Sequence, residues 1–265
     1  MYGSPQSWTS PATLLSFESG AGFEQARAYR DEPAEPGTPT GDRGAALGFP
    51  AVRVIALPVK SLAEAKGRLD PVLSTLERGA LTLAMLEDVL DVTLAVSGWE
   101  TWVVSPDEAV LEIAMSRGAH AIEEERPPLA NAIRQVEAEA EGRLVDTLAV
   151  LLPDTPLVTH QALTRALRTL GAVVVAPSVD EGGTNLLVRR PPACIGARFG
   201  HDSYRKHLQA ATEAGAPAAV VEATELAFDL DLPSDILTVL ESRREGRTLQ
   251  VCRELHLGAR LATRT

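Results

Sequence analysis

The chain has 265 residues, 45% of them hydrophobic, and a mean hydropathy near zero, which describes an ordinary soluble protein with a sizeable core. The formal net charge of −11 argues against a nucleic-acid-binding protein, which needs basic surface to neutralise phosphates. Because no apolar run approaches the ~20 residues of a membrane helix, and neither a signal peptide nor a metal-binding cysteine pattern is visible, we expect a cytoplasmic protein with reduced thiols.

Residues 1–48 are predicted to form a flexible arm. They are rich in Ser, Pro, Gly, Glu and Arg, and the run Asp-Glu-Pro-Ala-Glu-Pro-Gly-Thr-Pro begins at Asp31. Such a segment buries too little apolar surface to offset the entropy of ordering it. A conventional domain is predicted over residues 49–244, with a tail over residues 245–265.

The domain begins where an apolar strand meets a cluster of cations. Residues 52–57 predict a buried strand that Pro58 ends, and Lys60, Lys66 and Arg68 follow it. The unpaired N–H groups at the start of the next helix would add to the attraction of these cations for phosphates. Taken alone, the three side chains are equally compatible with solvated charges on a surface loop.

Predicted strands and helices alternate through the rest of the domain. Ser74 and Glu77 form a capping box ahead of the first helix. Further helices are predicted at 107–117, 129–141, 160–170, 203–214 and 234–244, and further strands at 101–105, 119–122, 147–152, 172–176, 186–189, 218–221 and 226–230. Repeated strand–helix units with short connections indicate an α/β fold, a three-layer α/β/α sandwich with a mostly parallel sheet.

Carboxylates follow two of the predicted strands. In parallel sheets ligands gather outside the carboxyl ends of the strands, and Asp154 lies at one such end while Asp229 and Asp231 lie at another. Carboxylates from two strands can hold Mg²⁺ and leave positions open for phosphate oxygens and water. Singly, Asp154 is as well explained as a turn residue and Asp231 as a helix cap. Together they favour the metal site.

Two further loops suit an anionic ligand. The loop at 180–185 carries paired glycines, which let the backbone approach a ligand closely, and the hydroxyl of Thr184, although a plain hairpin would use the same residues. Gly200 and Ser203 open a helix, and Ser203 either caps that helix or contacts a phosphate. His207, one turn later, is also compatible with a core or surface histidine.

These motifs together resemble the CofC/FbiD guanylyltransferases, which act in the biosynthesis of the deazaflavin coenzyme F-420. The resemblance covers residues 52–240 and rests on Pro58-Val-Lys-Ser-Leu-Ala-Glu-Ala-Lys-Gly-Arg-Leu69, Asp154 with Pro156-Leu157, Gly183-Thr-Asn185, Phe199-Gly200-x-x-Ser203-x-x-x-His207 and Asp229-x-Asp231. It implies a fold of the nucleotidyltransferase type, GT-A-like and similar to nucleotide-diphospho-sugar transferases. It also implies an enzyme that joins GTP to phosphoenolpyruvate or 2-phospho-L-lactate and releases pyrophosphate, with Mg²⁺ as cofactor.

The resemblance also implies which residues would bind GTP. Lys60, Lys66 and Arg68 would face its phosphates, with both lysines and Asp154 contributing to catalysis. Asn131 would contact the base. Relatives often read Leu-Asn-Ala-Ala where this chain reads Leu-Ala-Asn-Ala from residue 129, so the asparagine is displaced by one position.

The acid and the metal would occupy the remaining motifs. By resemblance, the residues that would hold the acid are Thr184, Gly200, Ser203 and His207. Asp154 with Asp229 or Asp231 would carry Mg²⁺. Leu232 follows where relatives usually have threonine. A homodimer and a downstream transferase of the same pathway are the protein partners that the resemblance suggests.

Two alternative functions remain open at this point. The first is another nucleotidyltransferase, for molybdopterin or a sugar phosphate, although its usual glycine-rich Leu-x-x-Gly-x-Ser/Gly-x-Arg loop is absent after the first strand. The second is a non-catalytic module that binds a phosphorylated metabolite without turnover. Hydrolase, zinc-site and P-loop motifs are absent from the sequence, as expected if the substrate phosphate itself is the nucleophile.

Overall fold

The computed structural model describes residues 51–125, 127–179 and 182–263. The strands in this part of the chain are β1 (Arg53–Pro58), β2 (Glu100–Ser105), β3 (His120–Glu123), β4 (Thr147–Leu151), β5 (Val173–Pro177), β6 (Thr184–Arg189) and β7 (Ala218–Val220). The α-helices are α1 (Thr75–Leu94), α2 (Glu108–Ser116), α3 (Leu129–Gly142), α4 (His160–Arg168), α5 (Ser203–Glu213), α6 (Thr224–Ala227), α7 (Pro233–Glu241), α8 (Arg247–Glu254) and α9 (Leu257–Ala262). The arm predicted over residues 1–48 lies outside the described residues.

The seven strands form one sheet in the order β3-β2-β1-β4-β6-β5-β7. All neighbours run parallel except β6, which is antiparallel to both β4 and β5. The carboxyl ends of β1 and β4 and the amino end of β6 therefore lie at the same edge of the sheet. The loops after β1 and β4 and the start of β6 are brought together there.

Helices cover both faces of the sheet, which confirms the predicted three-layer sandwich. Strand β4 is buried along its whole length, as its continuous apolar sequence predicts for a strand covered on both sides. One face packs against α1, α2 and α4, and the other against α3 and α5. No helix of the described residues has the length and apolar character needed to cross a membrane.

Residues 226–230 do not form the predicted strand, and this prediction is wrong. The N–H groups of Leu226 and Ala227 donate to the carbonyl of Ala223, which closes the short helix α6. Strand β6 already has a neighbour on each side, so the sheet offers these residues no place beside it. A short apolar run is compatible with helix or strand until its neighbours are known.

Residues beyond Arg244 form two helices instead of the tail expected from Glu245. Leu249, Cys252 and Leu257 on α8 and α9 are buried in a cluster with α1 and α7. The carboxylate of Asp88 on α1 accepts the N–H groups of Arg247 and Thr248 at 2.8 and 2.9 Å, which satisfies the first turn of α8. A Cβ at position 246 would lie 2.8 Å from Asp88 Oδ2, so a larger residue there would displace the carboxylate that holds α8.

Candidate active site

A cleft of about 550 Å³ lies at the sheet edge formed by the ends of β1 and β4 and the start of β6. All five segments that the sequence singles out contribute to its wall. The predicted site residues that line it are Lys60, Arg68, Asp154, Thr184, Gly200, Ser203, Asp229 and Asp231. An adjoining pocket of about 430 Å³, lined by residues 58–61 and 127–129 among others, shares Lys60 and Leu129 with the cleft. Side chains far apart in sequence thus share one cavity system.

Lys66 forms a salt bridge with two of the carboxylates. Its backbone is left-handed, with φ 54°, and its Nζ lies 2.9 Å from Asp154 Oδ2 and 2.6 Å from Asp231 Oδ1. Only 8% of the side chain is exposed. Burial would lower the pKa of Lys66, but the charges and hydrogen bonds of Asp154 and Asp231 together outweigh it and raise the pKa above 10.5. The ammonium therefore remains charged.

The pKa values of the two carboxylates after α6 shift in opposite directions. Burial would raise the pKa of Asp231, but the nearby charges of Lys66, Arg68 and Lys60 bring it below 3.8. For Asp229, burial raises the pKa, and repulsion from Asp154 and Asp231 adds to this despite hydrogen bonds from Ser178 and Asn185. The three carboxylates are thus close enough to repel one another.

The negative charge and hard oxygen atoms of these carboxylates suit a divalent cation. Asp154 Oδ1 is buried and has no hydrogen-bond partner among the described residues. A cation would give this oxygen a partner and offset the repulsion that raises the pKa of Asp229. As the side chains stand, no group of three acidic, histidine or cysteine side chains within residues 51–125, 127–179 and 182–263 is arranged for metal binding. Lys66 Nζ instead bonds to both Asp154 and Asp231.

Thr184 is connected through His207 to the backbone of Arg198. The N–H of Arg198 donates to His207 Nε2 at 2.8 Å, and His207 Nδ1 lies 3.1 Å from Thr184 Oγ1. Burial, and then the charges of Arg189, Arg198 and Lys206, lower the pKa of His207 to about 4, so the ring is neutral. Since Nε2 accepts, Nδ1 carries the proton and donates to Thr184 Oγ1. The hydroxyl proton of Thr184 is then free to point into the cleft.

His207 itself does not reach the cleft. It is fully buried, with both nitrogens engaged and its ring 5.2 Å from that of Phe199 in an edge-to-face contact. His207 therefore lies behind Thr184, and a direct contact with the acid, as the resemblance implies, does not agree with this position.

The start of α5 also lines the cleft. Its N-cap residue is Asp202, not Ser203, and Ser203 Oγ is buried without a hydrogen-bond partner in the described part of the chain. Gly200 has φ 109°, a conformation that residues with a Cβ rarely adopt. The N–H of Tyr204 donates to the carbonyl of Gly182 at 3.0 Å and joins the two glycine-bearing loops. The unpartnered hydroxyl of Ser203, beside the glycine backbone at Gly200, is well suited to contact an anion.

Asn131 is not among the residues that line the cavities. Its Nδ2 donates to the carbonyl of Pro127 at 2.7 Å, and its Oδ1 accepts from Arg134. Both ends of the amide are thus used locally at the start of α3. Leu129 lines both cavities instead.

Asn185 is a site residue that the sequence analysis did not assign. It is 2% exposed, and its Nδ2 donates to the carbonyls of Leu226 and Ala227, each at 3.0 Å, and approaches Asp229 Oδ1 at 3.3 Å. These bonds hold the loop carrying Asp229 against β6. Its position directly after Thr184 was the available signal.

The chain is similar to several known proteins. A family model described as "Guanylyl transferase CofC like" matches residues 52–261. A phosphoenolpyruvate guanylyltransferase of Rubrobacter xylanophilus is 37% identical over 183 residues, which cover 68% of this chain and 89% of that protein. A 3-phospho-D-glycerate guanylyltransferase of Phenylobacterium zucineum is 36% identical over 75% of this chain and 94% of that protein. A 2-phospho-L-lactate guanylyltransferase of Methanothermobacter thermautotrophicus is 34% identical over 68% of this chain and 80% of that protein.

Solved structures show the same fold. One from Desulfovibrio desulfuricans, described as a nucleotide-diphospho-sugar transferase, superposes with a TM-score of 0.66 at 20% identity and covers 80% of this chain and 98% of its own. A nucleotidyl transferase from Methanothermobacter thermautotrophicus gives a TM-score of 0.50 at 18% identity, with 71% and 95% covered. At these identities the likeness concerns the fold alone.

Proposed function

The chain belongs to the CofC-like guanylyl transferase family, and from this premise we propose that it transfers the guanylyl group of GTP to a phosphorylated three-carbon acid. Membership makes it a nucleotidyltransferase. The observation that carries the proposal is the convergence of Lys60 and Arg68, three carboxylates and the unpartnered hydroxyl of Ser203 in one cleft. Two anionic substrates and a cation would each find partners of the right charge there.

GTP would lie across both cavities. The lining of the adjoining pocket includes four prolines and the aliphatic side chains of Val59, Leu129 and Ala132, which suit the faces of a guanine base. Lys60 borders both cavities, and Arg68 lines the cleft. The triphosphate would therefore run past these two side chains, whose positive charges offset its own.

The acid would occupy the wall formed by β6 and α5. Thr184 and Ser203 supply two hydroxyls, and the backbone at Gly200 leaves room for close approach. Because His207 donates to Thr184 Oγ1, the Thr184 hydroxyl proton can be donated to a phosphate or carboxylate oxygen of the acid.

The reaction needs no nucleophile from the protein. A phosphate oxygen of the acid attacks the α-phosphorus of GTP, the bond from that phosphorus to the bridging oxygen breaks, and pyrophosphate leaves with the electron pair. Holding two anions in line can contribute ~7–11 kcal/mol to catalysis. Lys60 and Arg68 stabilise the charge that develops on the departing pyrophosphate.

We propose Mg²⁺ as the divalent cation, held by Asp154 together with Asp229 or Asp231. Carboxylate oxygens are the hard ligands that Mg²⁺ prefers, and the unpartnered Asp154 Oδ1 is available for it. When bound, the ion would neutralise phosphate charge. Lys66, which now bonds to Asp154 and Asp231, would compensate these carboxylates whenever the cation is absent.

We further propose phosphoenolpyruvate as the acid, with 2-phospho-L-lactate as the alternative, in the cytoplasmic biosynthesis of coenzyme F-420. The relative at 37% identity is named for phosphoenolpyruvate. Relatives at 36% and 34% are named for 3-phospho-D-glycerate and 2-phospho-L-lactate, so overall identity does not separate the acids. The phosphate-bearing product would pass to a transferase of the same pathway.

Pyrophosphate release tests the proposal directly. The purified protein with Mg²⁺ and GTP is incubated with phosphoenolpyruvate, 2-phospho-L-lactate or 3-phospho-D-glycerate, and ATP and CTP replace GTP as base controls. We expect release with GTP and fastest turnover with phosphoenolpyruvate. Binding of GTP without release for any of the three acids would overturn the enzymatic proposal in favour of a metabolite-binding module.

A further inference from the structure

A second cavity, of about 500 Å³, lies at the opposite edge of the sheet. Arg53 begins β1 and is paired with Thr147 at the start of β4, while Arg190 directly follows the antiparallel β6. Strand β1 has six residues, so this edge lies ~17 Å from the edge that carries the active-site cleft. A ligand in this cavity would be separate from GTP and the acid.

The charged side chains that line this cavity are all basic. They are Arg53, Arg168 and Arg190; the lining also includes the ring of His160, and no aspartate or glutamate of the residues that the structure describes belongs to it. No carboxylate of the described residues forms a salt bridge with any of the three arginines. In a chain with 36 acidic and 25 basic residues, three guanidinium groups that lack a carboxylate partner among the described residues and surround one cavity call for a counter-charge.

One of these guanidinium groups is held in place. The guanidinium of Arg190 donates to the carbonyl of Leu167, in the last turn of α4, and to that of Gly171, which follows the helix. Its other N–H groups remain available to a ligand. Burial, and then the charge of Arg53, lower the pKa of Arg190, so the like charges are close enough to repel. Capping of α4 explains Arg190, but it does not explain why Arg53 and Arg168 face the same space.

Two uncharged side chains complete the wall. Thr164 on α4 has a buried Oγ1 without a hydrogen-bond partner in the described chain. Trp99, which lies between α1 and β2, adds an aromatic surface. The cavity is also within the ~300–1,000 Å³ typical of small-ligand sites.

We propose that this cavity binds a small phosphorylated metabolite, with its phosphate between Arg53, Arg168 and Arg190 and the remainder of the molecule against Trp99. Guanidinium groups match phosphate oxygens in geometry as well as charge. The site is independent of the proposed catalytic function, because it uses no residue of the active-site cleft.

Tryptophan fluorescence of the full chain tests the proposal, with inorganic phosphate and ribose 5-phosphate as probes at constant ionic strength. Trp99 borders the cavity, whereas Trp102 is fully buried. We expect a saturable change in emission that Trp99→Phe removes. Arg53→Ala and Arg168→Ala should each weaken binding by about tenfold, as loss of a charge-assisted hydrogen bond implies.

The matched control is Arg165→Ala, which removes the same charge from the same helix. Arg165 donates to the carbonyl of Glu222 and does not line the cavity, so binding should be unchanged. Equal weakening by Arg165→Ala, or no saturation at millimolar probe, would overturn the proposal. Loss of the signal in Ser203→Ala would place the phosphate in the active-site cleft and would also overturn it. None of these readouts requires GTP, so failure here leaves the proposed reaction untouched.

Discussion

Thr184 and His207 form a pair in which a hydroxyl that lines the cleft depends on a buried side chain behind it. His207 Nδ1 lies 3.1 Å from Thr184 Oγ1, and the N–H of Arg198 occupies the other ring nitrogen. The backbone N–H cannot change its role, so it determines which nitrogen of the neutral ring carries the proton. His207 is therefore a positioning residue for the hydroxyl of Thr184.

Replacing His207 should affect binding of the acid and not of GTP. His207→Ala leaves the Thr184 hydroxyl without its orienting donor, and one hydrogen bond of ~1–1.5 kcal/mol corresponds to a rise of about tenfold in KM for the acid. His207→Asn offers an amide N–H close to the position of Nδ1 and should restore part of this loss. Steady-state kinetics with each substrate varied separately provide the measurement. An equal rise in both KM values would indicate general disturbance of the site.

The same histidine should make stability depend on pH. Its pKa is about 4 in the folded protein and near 6.5 when unfolded, so the unfolded chain binds more protons between these values. Its contribution is fully present above pH 6.5 and is lost as the pH falls towards 4, by ~3 kcal/mol in the free energy of unfolding. Urea unfolding at several pH values should show a flatter profile for His207→Asn than for the wild type. If the free energy of unfolding depends on pH in the same way in both proteins, His207 is not the source of the pH dependence.

At the scale of elements, the carboxyl-terminal helices are part of the domain core. Helix α8 is connected to α1 by Asp88, which accepts the N–H groups of Arg247 and Thr248. Leu69 and Leu81, which belong to the segment between β1 and the middle of α1, are buried in the same cluster as Leu249. The segment that carries Lys66 and Arg68 is thus packed against residues of α8 and α9.

Leu249→Ala should therefore destabilise the protein strongly. Leu249 is 2% exposed, and truncation of a buried leucine costs ~2–5 kcal/mol because it leaves a cavity. Leu237→Ala on α7 makes the same chemical change at a side chain that is 43% exposed, and it should cost far less. Urea denaturation of the two variants provides the comparison. If Leu249→Ala lowers the free energy of unfolding as little as Leu237→Ala does, α8 contributes little to the core.

At the scale of the whole molecule, charge is distributed unevenly. The chain carries a formal net charge of −11. At one end of the sheet, however, three cations lie close enough to Asp231 to lower its pKa, and they are Lys66, Arg68 and Lys60. Local cations can capture an anionic ligand that the overall field repels, since screening shortens the reach of the distant charges. The proposed metal would strengthen this local attraction.

Ligand binding should consequently stabilise the whole domain. Mg²⁺ and GTP at about 100 times Kd should add ~2.7 kcal/mol and raise Tm by roughly 5–10 °C in the wild type. Asp154→Asn should abolish turnover and most of this shift. Its Tm without ligand should stay close to that of the wild type, because Lys66 keeps Asp231 at 2.6 Å as a partner. Differential scanning fluorimetry and the pyrophosphate assay provide both readouts, and retained turnover would remove Asp154 from the metal site.

Local signals in the sequence determined most of the fold. The capping box of Ser74 and Glu77 begins α1 as predicted, and the continuous apolar run of β4 is a doubly covered strand. Both signals depend on residues a few positions apart, and for this reason they can be read without knowledge of the rest of the chain. The position of Asp154 was likewise visible, because it follows β4, whereas Asp231 was assigned to the site through a strand at 226–230 that the structure does not form.

The tertiary structure alone decided how these residues are used. Lys66 bonds to carboxylates 88 and 165 positions away, and His207 lies behind Thr184 instead of in the cleft. The helix at Thr224–Ala227 and the helices after Gly246 likewise depend on neighbours supplied by distant segments. The physical reason is that burial, the partner of a charge and the free side of a strand are properties of neighbours in space, which a linear pattern does not contain.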